Sequence, residues 1–98
     1  MTIESKKDAG KLTFTVAGRL DTSTAPKLEE TLKGAYEGVT ELVFDLQKLE
    51  YISSAGLRVL LSAQKTMNKQ GSMKLTNVCE EIMEIFDITG FTDILTIE

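Results

Sequence analysis

Ninety-eight residues, 42% apolar and 27% charged, fit one globular domain, residues 1–98, with a modest core; a formal charge of −4 without a basic cluster argues against a nucleic-acid footprint. The lack of histidine and the single cysteine, Cys79, rule out a Ser-His-Asp or Cys-His nucleophile, a His-ligated metal, a Cys-based zinc site and an internal disulfide. No apolar run approaches the ~20 residues of a membrane span, and charged Glu4, Lys6, Lys7 and Asp8 stand where a signal peptide carries its apolar core, so a cytoplasmic protein is expected.

Thr2 to Lys6 alternates weakly and reads as an edge strand. Asp8-Ala9-Gly10 is a hairpin turn. Leu12 to Ala17 alternates strictly, with Leu12, Phe14 and Val16 on one side, as a half-buried strand does. Asp21-Thr-Ser-Thr24 breaks that pattern, and Pro26 belongs in the first turn of a helix, where its missing N–H has no intrahelical partner to lose. The helix starts near Thr24, turns Leu28, Leu32, Ala35 and Tyr36 inward, carries Gly34 inside it and closes at Gly38. Glu41 to Leu46, with contiguous Leu42, Val43 and Phe44, suits a central strand covered on both faces.

Tyr51 to Leu61 places two adjacent hydroxyls, Ser53 and Ser54, at the start of the longest helical pattern. Leu57, Leu60, Leu61 and Gln64 recur at i, i+3, i+4 and i+7, Lys65 and Lys69 lie near its end, and Gly71 follows as a stop. Ser72 to Thr76 is a short strand. Asn77 with Glu80 three residues later has the form of a capping box, and Ile82, Ile85 and Phe86 line a helix that stops at Gly90. Ile94, Leu95 and Ile97 supply a last strand or extended segment. Cys79 is expected in the core.

The order β-β-α-β-α-β-α-β, without linker or repeat, predicts an α/β fold: a mixed, mostly parallel sheet with an N-terminal antiparallel hairpin and three to four helices. In such units the loops after parallel strands share one edge of the sheet. That rule gathers Asp21 to Thr24, Asp45, Ser53, Ser54 and Thr76-Asn77. Three functions suit such an edge: a protein interaction controlled by phosphorylation, capture of a small anion at a helix start, and nucleophilic catalysis by a serine with Asp45 as base. Composition leaves the first two open. The third lacks an identifiable oxyanion site, and no enzyme activity, metal or cofactor is expected.

Gly18-Arg-Leu-Asp21, Ala25-Pro26, Leu42-Val-Phe-Asp-Leu46, Tyr51-Ile-Ser-Ser-Ala-Gly-Leu57 and Ile88-Thr-Gly-Phe91 occur in an order that resembles the STAS domain family. The likeness is to its small stand-alone anti-sigma factor antagonists of bacteria. It implies partner switching: the unphosphorylated protein binds an anti-sigma factor that is also an ATP-dependent serine kinase, phosphorylation breaks the complex, and a metal-dependent serine phosphatase restores it. The protein is then a substrate of enzymes, a monomer when free, with neither nucleic acid nor membrane as partner.

The better-known signature reads Asp-Ser-Ser-Gly-Leu with phosphate on its second serine, and Ala55 occupies that column here. A Ser-Ser-Ala-Gly-Leu version also occurs among members phosphorylated at the motif. The resemblance therefore implies Ser54 as acceptor, with Ser53 next in line. Asp21, Thr22, Asp45, Ser53, Ser54 and Arg58 are the partner-binding candidates that it implies. The alternative is a non-phosphorylated, ligand-sensing or scaffolding member.

Overall fold

A computed structural model describes residues 1–98. Strands β1 (Thr2–Asp8) and β2 (Lys11–Leu20) form the antiparallel hairpin, its turn passing through Ala9 at φ 56°. Strand β3 (Glu41–Asp45) runs parallel to the first half of β2, and β5 (Ser72–Thr76) runs parallel to β3. Side chains paired across neighbouring strands face the same way, so this register stacks Leu12, Leu42 and Met73 in one row and Phe14, Phe44 and Leu75 in the next. All six are buried, and the Phe14 and Phe44 rings stack at 5.9 Å. The opposite face carries Thr13, Val43 and Lys74, then Thr15, Asp45 and Thr76; only Val43 among these is buried.

Three α-helices complete the α/β fold: α1 (Ala25–Lys33), α2 (Ser54–Gln70) and α3 (Glu80–Thr89), with a 3-10 turn at Phe91–Asp93. The mixed sheet and its N-terminal hairpin agree with the sequence reading. Four details differ. First, helix α1 ends at Gly34, its C-cap, and Gly38 instead turns the chain toward β3 at φ 77°. Gly34 thus carries no mid-helix penalty.

Second, a short strand, β4 (Leu49–Ile52), precedes α2 and runs parallel to the last residues of β2. Its partners are Gly18↔Leu49, Arg19↔Tyr51 and Leu20↔Ile52, which leaves Glu50 as the extra residue of a bulge. The bulge sets Glu50 and Tyr51 outward in succession between buried Leu49 and Ile52, and this erases the alternation by which a strand is recognised.

Third, α3 is capped at Cys79, without a side-chain hydrogen bond, and not at Asn77. Asn77 sits in the left-handed region at φ 56°, and its amide nitrogen donates to Asp45 Oδ1 at 3.1 Å. Cys79 is exposed rather than part of the core. Fourth, a 3-10 turn at Phe91–Asp93, which the sequence reading did not include, precedes the last segment. Of the last strand or extended segment expected there, the extended segment is found, with Ile97 making a single parallel bridge to Leu75.

Candidate functional site

Strands β2, β3, β4 and β5 all run the same way, so their C-terminal ends share one edge. They end at different heights. Asp45, at the end of β3, is level with Thr15, whereas Ile52, at the end of β4, is level with Leu20. Five residues of β2 separate the two levels, about 17 Å at ~3.3 Å per residue.

The higher level is where Ser53 and Ser54 stand. Ser53 N–H donates to Leu20 O at 2.9 Å, which fastens the turn to the end of β2. Its backbone is extended at φ −98°, ψ 176°, and its Oγ accepts from Gly56 N–H at 3.5 Å, the N-cap arrangement. A Cβ on Gly56 would lie 2.8 Å from side-chain atoms of both Ile52 and Leu20. The helix start therefore rests directly on the ends of two strands, and only glycine permits that contact. Ser54 is the first helical residue and is exposed, with no hydrogen bond from its hydroxyl within the chain. The structure thus divides two adjacent serines between two conditions. Ser53 is half-buried and engaged; Ser54 is free.

Asp21 follows Leu20 directly. Its Oδ1 accepts from Ser23 Oγ at 2.7 Å, Ser23 N–H at 3.0 Å and Thr24 N–H at 3.2 Å. The Ser23 hydroxyl is the main cause that holds the Asp21 carboxyl below its usual pKa, against an opposing effect of burial. Arg19 Nε lies 3.7 Å from Asp21 Oδ2, and its guanidinium covers the Tyr51 ring at 4.4 Å from the centroid. This Arg19–Tyr51 pair is a surface feature beside the serines that sequence reasoning missed. It was legible only once Tyr51 was known to lie in a strand beside Arg19.

Thr22 and Arg58 are exposed and line a groove of about 630 Å³ between α1 and α2, with Ala25, Pro26, Ala55 and Val59 among the other walls. Arg58 makes no ion pair. Asp45 is not part of this cluster. Its Oδ1 accepts from Gln47 N–H and Asn77 Nδ2, both at 3.1 Å, so it ties the end of β3 to the end of β5. At its height it cannot act as a base for either serine. No three His, Cys, Asp or Glu side chains are grouped so as to hold a metal ion, and no helix is long and apolar enough to cross a membrane.

The STAS domain profile matches residues 2–98. The chain is 35% identical over 96 residues to the anti-sigma-B factor antagonist of Bacillus subtilis (strain 168), an alignment covering 97% of this chain and 88% of that protein. The crystal structure of an anti-sigma factor antagonist from Mycobacterium paratuberculosis superposes with a TM-score of 0.88 at 23% identity, over 98% of this chain and 83% of that one. SpoIIAA superposes with a TM-score of 0.78 in its unphosphorylated form, at 14% identity over 99% of this chain and 87% of that one. Its phosphorylated form gives 0.77, at 15% identity over 99% and 91%. At those identities the solved structures speak for the fold, and the profile and the Bacillus relative speak for the lineage: the chain belongs to the STAS domain family.

Proposed function

We propose that the protein is an anti-sigma factor antagonist that works by partner switching in the cytoplasm. Unphosphorylated, it binds an anti-sigma factor that is also an ATP-dependent serine kinase; phosphate on Ser54 ends the binding, and a metal-dependent serine phosphatase renews it. The protein is a regulator and a substrate of these enzymes. The relative named as an anti-sigma-B factor antagonist supports this reading, and the observation that carries it is the state of Ser54. Its hydroxyl is exposed and unengaged at the start of α2, beside a serine already committed to the cap.

A phosphate there adds roughly −1.5 to −2 charges to a surface that a partner has to desolvate on docking. The surface we assign comprises Asp21, Thr22, Ser53, Ser54 and Arg58, and it leaves out Asp45, which is tied to Asn77 at the lower level. The test is incubation with ATP and the anti-sigma-type serine kinase encoded nearest to it, followed by intact mass and site mapping. One phosphate on Ser54 is expected, lost in Ser54→Ala and kept in Ser53→Ala, together with release of the kinase. Kinase binding with no phosphate on either serine would leave a scaffolding role in its place.

A further inference from the structure

We propose that Arg58 is an intramolecular clamp for a phosphate on Ser54. The inference rests on the phosphorylation reading above and adds where the phosphate goes. Helix α2 carries Arg58, Lys65 and Lys69 and no acidic residue in its 17 residues, in a chain with 15 acidic and 11 basic side chains. The positions that adjoin Arg58 on the helix surface, three and four residues away in each direction, are Ser54, Ala55, Leu61 and Ser62. None is acidic. Across the groove, Glu29 is paired with Lys33 at 3.8 Å. Arg58 is an exposed guanidinium without a carboxylate.

Arg58 lines the groove between α1 and α2, and helical geometry puts Ser54 within its reach. Four residues correspond to about 40° of rotation around the axis and about 6 Å along it. Side chains on a helix lean toward its N-terminus, so a guanidinium at position 58 can reach over the turn that holds Ser54. A planar guanidinium fork engages two phosphate oxygens at once. The other guanidinium at this edge, that of Arg19, is already held by the Tyr51 ring and the Asp21 carboxylate. Arg58 is therefore a positioning residue for the modified state. Phosphorylation replaces a neutral hydroxyl and also withdraws a free cation from the docking surface, which gives two changes for one covalent event.

Phosphoserine placed at position 54 by genetic encoding separates this inference from the kinase. The 31P signal is titrated in the otherwise unaltered chain, in Arg58→Lys, in Arg58→Gln and in Arg19→Gln, with folding checked by circular dichroism. The charged groups on the elements that meet at this edge are Arg58 on α2, Arg19 on β2, Asp21 after it, Glu50 on β4 and Glu29 on α1. Arg58→Gln is expected to weaken the second ionisation about threefold, half a pKa unit, and Arg58→Lys to retain part of the effect. Superimposable titrations for the unaltered chain and Arg58→Gln would overturn the clamp, as would a shift seen only on Arg19→Gln. A kinase that leaves Ser54 unmodified would remove the phosphorylation reading without changing this titration.

Discussion

Helices α2 and α3 each follow a parallel strand at the same edge of the sheet, yet their ends are built in opposite ways. At its start α2 has a hydroxyl cap, Ser53, and no acidic residue in the first turn; α3 has no side-chain cap but carries Glu80 and Glu81 there. A helix N-terminus favours negative charge through its dipole and free N–H groups. In α3 that preference is met permanently by carboxylates. In α2 a single neutral oxygen meets it, so added negative charge at Ser54 encounters no resident acid on the helix.

The C-terminal ends differ as well. Gly71 after α2 is extended at φ 172°, and a Cβ there would overlap the backbone of Thr40; Gly90 after α3 is left-handed at φ 80° with nothing within 4 Å of its missing Cβ. One helix is seated by close fit against the sheet. The other is ended by backbone conformation alone.

The largest effect expected from breaking this contrast is at Gly71. Gly71→Ala forces the backbone at Thr40, just before β3, to move and is expected to cost about 3 kcal/mol in urea unfolding. Gly90→Ala meets only the left-handed penalty, about 1–2 kcal/mol. Equal losses would mean that the two ends are not built differently. Next come the serines: Ser53→Ala is expected to lower stability by about 1 kcal/mol through the cap, whereas Ser54→Ala stays within about 0.5 kcal/mol while removing the proposed phosphate acceptor.

Charge sharpens the comparison further. Ser54→Asp is expected to stabilise α2, and Glu80→Gln or Glu81→Gln to destabilise α3, each by about 0.3–1 kcal/mol at low ionic strength. Thermal unfolding in added salt should shrink both effects. The smallest effect concerns Asp21, whose carboxyl titrates below its usual value. Its contribution is complete above the unfolded value of about 3.9 and is lost as pH falls through the lower folded value. Asp21→Asn should therefore flatten the acid limb of the stability curve, read from unfolding midpoints between neutral and acid pH.

Much of this was legible in the sequence, because β2 shows its alternation from Leu12 to Ala17 and α2 its apolar stripe from Leu57 to Met67. Strand β4 was not, since the extra residue Glu50 removes the period that marks a strand. Asn77 and Glu80 have the spacing of a capping box, but the pairing of Asn77 with Asp45 is a contact between residues 32 apart that no local pattern encodes. Adjacent serines are equally eligible as caps in sequence, and it took the helix start at Ser54 to assign that role to Ser53. The shared-edge rule for parallel strands gathered Asp45 with the serines because it gives direction without height.

The upper half of β2, with β4 beside it, acts as a bracket that carries the Ser53–Ser54 turn past the ends of β3 and β5. A partner that docks on this turn meets the start of α1 beside it and not the ends of β3 and β5. Ser54 is exposed at this projection, so the phosphatase of the proposed cycle needs no part of the domain to unfold.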